Sequence, residues 1–110
     1  MLSGALGLQI IARRLGVELG EQQFNSIDGV NERELTFREI KTLSTDHSLV
    51  CRAIKTNLSG LSDSVKKQPV LVNLNNGRFI IVIKFGRIDN EQEEITFIDP
   101  KAAAPKAETI

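Results

Sequence analysis

The chain has 110 residues, a length that suits a single compact domain. Apolar residues make up 41% of it, enough to build a core, and its 14 basic residues balance its 14 acidic ones. A net charge of zero argues against a nucleic-acid module and against a binder of anionic membranes, because both concentrate positive charge. No apolar run approaches the roughly 20 residues that a membrane-spanning helix needs. We also expect no signal peptide, since no basic region precedes an apolar segment.

The chain has one cysteine, Cys51, and one histidine, His47. An internal disulfide is therefore excluded, and so is a structural zinc site built from cysteine and histidine alone. The sequence contains no P-loop and no dinucleotide-binding motif. We therefore expect no metal, no cofactor and a cytoplasmic location for this domain.

The first predicted element is a helix over residues 3–15. Ser3 is the expected N-cap, and Gly16 suits the residue that ends a helix. Gly4 and Gly7 each weaken a helix by roughly 1 kcal/mol relative to alanine, so we expect the backbone to approach a neighbour closely there. The apolar residues recur at helical spacing and are expected to face the core: Leu8, Ile11, Ala12 and Leu15.

Two further helices are predicted in the first half of the chain. A short one is expected over residues 21–24, before a turn at Asp28-Gly29. Thr36 and Glu39 have the spacing of a capping box, which opens a helix that runs to about Thr45. The apolar residues of this helix are expected to point inward: Phe37, Ile40 and Leu43.

The second half of the chain has the pattern of strands and turns. Strands are predicted at residues 49–54, 70–74, 79–85 and 95–98, with a short helix at residues 58–65. Asn75-Asn76-Gly77 is typical of a tight hairpin, and residues 79–85 are apolar on both faces, as in a central strand. Asp89 to Glu94 is expected to form a solvated turn. Helices followed by antiparallel strands predict the α+β class.

The residue types supply no self-sufficient catalytic set. A nucleophilic Cys51 would need His47 within hydrogen-bond reach, and here the pair would straddle a turn between a helix and a strand. We therefore expect Cys51 to be a small buried thiol and His47 a surface histidine. Asp89-Asn90-Glu91 does not continue as a calcium loop.

Three short segments, in order and with fitting spacers, resemble the bacteriocin-processing, double-glycine leader peptidases. Residues 3–16 (SGALGLQIIARRLG) resemble the first helix of that family, C-G-x-A-C-L-x-M-I-A-x-x-Y-G. Residues 77–81 (GRFII) resemble its G-H-[FY]-V-V strand, and residues 98–100 (IDP) resemble its closing I-x-D-P. The resemblance covers about residues 2–101. It implies a papain-like cysteine-peptidase fold, with N-terminal helices packed on an antiparallel sheet.

The resemblance also implies a degenerate site. In that family a cysteine heads the first helix, a histidine on a strand is the base, and an aspartate orients the histidine. The matching positions hold Ser3, Arg78 and Asp99. A serine needs a base to remove its proton, and a guanidinium does not deprotonate in proteins. We therefore expect no catalytic residue here, and a structural contact between Arg78 and Asp99.

Degenerate domains of this kind occur at the N-terminus of type I secretion ABC transporters that export RTX toxins and adhesins. The resemblance implies a non-enzymatic domain on the cytoplasmic side of the bacterial inner membrane, beside the rest of the transporter. It would bind or position the unfolded exported protein or its C-terminal secretion segment. Residues 1–100 would form the peptidase-like domain, and residues 101–110 a linker or the truncated end of the domain.

Two alternatives remain open. One is an active leader peptidase or hydrolase that uses Ser3 or Cys51. The other is a purely structural docking module within its own transporter. The sequence assigns no residue to a substrate-binding surface.

Overall fold

The computed structural model describes residues 1–51, 58–87, 93–102 and 107–109. Within these ranges the chain forms four helices followed by four strands. In chain order they are α1 (Ser3–Arg14), α2 (Glu21–Asn25), α3 (Phe37–Asp46), α4 (Leu58–Val65), β1 (Val70–Asn73), β2 (Phe79–Arg87), β3 (Glu93–Ile98) and β4 (Ala107–Thr109). The strands form one antiparallel sheet in the order β1-β2-β3-β4. The predicted α+β class is confirmed.

Small side chains let helix α1 pack closely on the sheet. A Cβ atom placed at Gly7 would lie 2.7 Å from Cδ1 of Leu71, well inside normal van der Waals contact. One placed at Gly4 would lie 3.0 Å from the ring of Phe79. The predicted close approach at both glycines is therefore confirmed. The buried face of α1 consists of Ser3, Gly4, Ala5, Gly7, Leu8 and Ala12.

Helix α1 ends in a Schellman motif at Gly16, as the sequence predicts. Gly16 has a positive φ of 84°, and the backbone N–H of Val17 donates to the Ala12 carbonyl at 2.8 Å. The helix is shorter than predicted, because Arg14 is its last residue. Leu15, expected to point inward, lies in the capping turn and is exposed.

Helix α3 begins with the predicted capping box. The Glu39 backbone N–H donates to Thr36 Oγ1 at 3.1 Å, and the Thr36 N–H donates to Glu39 Oε1 at 2.9 Å. Ile40 and Leu43 are buried, as predicted. The prediction for Phe37 is wrong: this residue occupies the first turn, at the periphery of the core, and is 57% exposed.

The end of α3 corrects the predicted strand at residues 49–54. Ser48 has a positive φ of 65°, and the Leu49 N–H donates to the Ser44 carbonyl at 2.8 Å, which is again a Schellman bond. Because Leu49 completes the cap of a helix, residues 49–51 lie outside any strand. Residues 52–54 of this prediction lie outside the described residues.

Strand β2 is the central strand that the sequence predicts. Its residues Ile81 and Val82 point to opposite faces and are both fully buried, so both faces of the strand are covered. Asn73 of β1 pairs with Phe79 of β2 across the predicted hairpin. Gly77 supplies the positive φ of 88° that this turn requires. Helix α1 packs against β1 and β2, and α4 packs against β2.

The last strands differ from the prediction. Glu93 and Glu94 pair with Arg87 and Gly86 as the start of β3, whereas the sequence placed them in a turn. The backbone pairing of β3 with β2 thus begins two residues before the apolar segment 95–98, from which the strand was predicted. The rest of the predicted turn, residues 88–92, lies outside the described residues. Strand β4 lies in the segment that was expected to be a linker or the truncated end of the domain, and it pairs antiparallel with β3. The domain boundary at residue 100 stays a prediction.

No helix within the described ranges combines the length and the apolar character needed to cross a bilayer.

Candidate functional site

Ser3 stands where α1 meets the start of the sheet. The Phe79 backbone N–H, at the first residue of β2, donates to Ser3 Oγ at 2.8 Å. The predicted role of Ser3 as the N-cap is wrong, because the N-cap is Leu2, whose own side chain makes no capping hydrogen bond. Ser3 is instead the first residue of α1 and is only 2% exposed. Its hydroxyl is used in a tertiary contact between helix and sheet.

A carboxylate that the sequence did not single out lies at the head of the same helix. Ser3 Oγ donates to Glu34 Oε2, and the Gly4 N–H donates to Glu34 Oε1 at 2.7 Å. The first N–H groups of a helix lack partners within the helix, and an anion there interacts favourably with the helix dipole. Glu34 is 31 residues from Ser3. No local pattern links the two, so this contact could not be found from spacing.

A single guanidinium holds the segment that carries Glu34. Arg33 donates to the Glu34 carbonyl at 3.1 Å and to the Asp28 carbonyl at 2.8 Å. It also donates to both carboxylate oxygens of Glu39, at 2.8 and 2.9 Å. The hydrogen bonds from Arg33, and then from the Thr36 backbone, lower the pKa of Glu39 to about 2. Residues 33–36 are thus tied to the start of α3.

Arg78 and Asp99 form the contact that the sequence predicts. One guanidinium nitrogen of Arg78 donates to both carboxylate oxygens of Asp99, at 2.7 and 2.8 Å. The Lys101 backbone N–H also donates to Asp99 Oδ1, at 3.0 Å. Partial burial opposes ionisation of Asp99, but the bonds from Lys101 and Arg78 outweigh it and lower its pKa. The side chains remain 47% and 27% exposed, respectively.

The hairpin between β1 and β2 positions Arg78. Its backbone N–H donates to Asn76 Oδ1 at 3.0 Å, and its carbonyl accepts from the Leu74 N–H at 2.7 Å. Arg78 directly precedes Phe79, whose N–H contacts the Ser3 hydroxyl. Asp99 directly follows β3, the strand that pairs with β2. The fold therefore brings residues 3, 78 and 99 to the same end of the sheet.

His47 and Cys51 lie elsewhere and serve structural contacts. His47 is the C-cap residue of α3, and its Nδ1 lies 2.8 Å from the Leu43 carbonyl oxygen. Cys51 is half-buried and packs against the core. Both residues are described by the structure, which shows no hydrogen bond between them. The described residues also contain no group of three or more acidic, histidine or cysteine side chains arranged to hold a metal.

The match to known families covers nearly the whole chain. The family model for the Peptidase C39 family matches residues 2–109. Among curated proteins and among solved structures, none matches the chain significantly. The resemblance found in the sequence is thus supported at the level of a C39-like peptidase domain. With 108 of its 110 residues matched (residues 2–109), the chain belongs to the Peptidase C39 family.

Proposed function

We propose that this chain is a catalytically silent member of its family, with a papain-like arrangement of helices and sheet. Its role would be to bind or position an unfolded export substrate in a type I secretion ABC transporter of the RTX toxin or adhesin type. The domain would then stand on the cytoplasmic side of the bacterial inner membrane, joined to the membrane and ATPase parts of the transporter.

The observation that carries this proposal is the pair formed by Arg78 and Asp99. A peptidase of this type needs a proton acceptor at position 78, with a carboxylate behind it. A guanidinium group does not accept a proton in proteins, and Arg78 gives its hydrogen bonds to Asp99. The Asp99 carboxylate is therefore paired with the Arg78 guanidinium and has no imidazole to orient.

The state of Ser3 supports the same conclusion. The hydroxyl donates to Glu34 and accepts from the Phe79 N–H, and the residue is buried. A carboxylate is a far weaker base than the alkoxide that attack by serine requires. An exposed, activated nucleophile is thus replaced by a buried hydroxyl with two partners.

The first experiment is a peptidase assay with a double-glycine leader peptide. We expect no cleavage above the uncatalysed rate. Cleavage that disappears in Ser3→Ala or in Cys51→Ala would instead establish an active enzyme and would overturn the proposal. The two variants distinguish the two residues that could act as nucleophile.

The second experiment separates substrate binding from a purely structural role. The isotope-labelled chain is titrated with an unfolded C-terminal segment of an exported protein and followed by NMR. The same exported protein in its folded state is the matched control. We expect saturable shift changes with the unfolded segment alone. Unchanged spectra at high concentration would support a docking module instead.

A further inference from the structure

We propose that Glu34 is an internal plug, whose carboxylate occupies the N-terminus of α1. It blocks the access of substrate to position 3 and disfavours ionisation of a nucleophile there. The proposal rests on the proposed function, since it adds a third cause of catalytic silence to the changes at positions 3 and 78. It concerns a residue outside the three motifs that resemble the peptidases.

The Glu34 carboxylate accepts hydrogen bonds from two polar groups at the N-terminus of α1. The Ser3 hydroxyl and the Gly4 N–H both donate to this carboxylate, one to each oxygen. The space beside Gly4 is filled as well: a Cβ atom there would lie 3.1 Å from Glu34 Oε1 and 3.0 Å from the Phe79 ring. A peptide carbonyl could reach position 3 only after Glu34 had left.

The plug is held in place from behind. Arg33 bonds the carbonyl of Glu34 and, through Glu39, the capping box of α3. A further bond from Arg33 to the Asp28 carbonyl fixes the preceding turn. The backbone on both sides of Glu34 is therefore anchored. The carboxylate itself is held by the Ser3 hydroxyl and the Gly4 N–H.

The charge of the plug opposes the chemistry of the family. A helix N-terminus lowers the pKa of a cysteine thiol because its positive end stabilises the thiolate. A carboxylate at the same place offsets that effect and repels a second anion. A thiol introduced at position 3 would consequently remain protonated near neutral pH. Changing Ser3 and Arg78 to the residues of an active peptidase would not be sufficient.

Thiol reactivity tests the plug without any substrate. In a Cys51→Ser background, which removes the native thiol, Ser3→Cys is compared with Ser3→Cys/Glu34→Gln. Glutamine keeps the size of the side chain and can still accept from the Gly4 N–H, but it removes the charge. We expect iodoacetamide to alkylate the thiol about tenfold faster at neutral pH in the glutamine variant. The apparent thiol pKa should fall by about one unit.

The matched control is Glu32→Gln in the same background, because Glu32 is an exposed carboxylate of the same segment. It should leave the alkylation rate unchanged. Equal rates for the Glu34 and Glu32 variants would overturn the plug. Cleavage of the leader peptide by the unaltered chain would overturn the proposed function, so the two failures are distinguishable.

A second measurement covers the case in which the thiol variants do not fold. In the chain with its native Ser3, hydrogen exchange of the Gly4 amide is compared between Glu34→Ala and Glu32→Ala. Loss of the carboxylate acceptor should speed this exchange by about tenfold, while Glu32→Ala leaves it unchanged. Equal protection of the Gly4 amide in both variants would equally overturn the plug.

Discussion

The Arg78 guanidinium donates to both carboxylate oxygens of Asp99 through one nitrogen, at 2.7 and 2.8 Å. This contact joins the residue before β2 to the residue after β3, and the two strands pair nearby at Ile81 and Ile98. In an active relative, the same two positions would hold a base and the group that orients it. Here they hold an ion pair that links β2 and β3 at one end of the sheet.

The ion pair is expected to contribute little to stability. Both side chains are partly exposed, so Asp99→Asn should lower the free energy of unfolding by about 1 kcal/mol or less at neutral pH. Because the pKa of Asp99 is lowered on folding, this contribution is present above the unfolded pKa and is lost as pH falls through the folded pKa. Urea unfolding at neutral and acidic pH measures it. The control is Asp63→Asn, which breaks the more exposed pair with Lys66 and should cost less.

Glu39 should give the chain a clear acid-sensitive step. Its pKa falls to about 2, chiefly through the hydrogen bond from Arg33. The stabilisation is therefore complete above the unfolded pKa of about 4.3 and disappears as pH falls towards 2. Glu39→Gln should cost about 1 kcal/mol at neutral pH, and the difference from the unaltered chain should shrink as pH falls from about 4 towards 2. A constant difference across that range in urea unfolding would contradict the assignment; Glu32→Gln is the control.

Gly7 tests the close packing of α1 on the sheet. Its absent Cβ atom would lie 2.7 Å from Leu71 Cδ1, and a branched side chain adds further atoms to the same space. Gly7→Val should lower the free energy of unfolding by about 2 kcal/mol. Arg14→Val, at an exposed position of the same helix, measures the helix propensity of valine and should cost about 0.5 kcal/mol. An equal loss of unfolding free energy in the two variants would show that a side chain at position 7 fits without disturbing the packing of α1 on the sheet.

Ser48 offers a stabilising substitution. It adopts a left-handed conformation with a φ of 65° at the end of α3, where a side chain costs about 1 kcal/mol and glycine costs little. Ser48→Gly should raise the free energy of unfolding by about 0.5 kcal/mol, seen as a higher melting temperature. Ser26→Gly is the matched control, because Ser26 follows α2 with an ordinary φ of −75°. That variant should be neutral or destabilised.

Local chemistry was enough to predict much of the fold. The capping box at Thr36 and Glu39, the helix end at Gly16 and the hairpin before Phe79 each depend on residues within a few positions of one another. The predicted strand that begins at residue 49 is wrong because the end of α3 lacks the glycine that usually marks the end of a helix. Ser48, and not a glycine, adopts the left-handed conformation after His47, the C-cap of α3, and the helix-ending motif extends to Leu49, in a segment whose apolar residues favour a strand.

The site was only partly predictable. The positions of Ser3, Arg78 and Asp99 came from a resemblance, and the contact of the last two followed from their opposite charges. Glu34 had no signal, because its contact with Ser3 depends on how the segment before α3 folds back over α1. The hydroxyl of Ser3 was expected to serve its own helix. Instead, the hydroxyl accepts a hydrogen bond from the Phe79 N–H, a tertiary partner on the sheet.

The bond between Ser3 and Phe79 spans 76 residues and has a consequence for biosynthesis. The opening helix leaves the ribosome long before the strand that supplies its partner. Until then Gly4 and Gly7 lack Phe79 and Leu71, the strand residues that they approach, and two glycines near its start make a solitary helix unstable. We therefore expect α1 to reach its final packing only after β1 and β2 have been translated. Chaperones and proteases would encounter it during that interval.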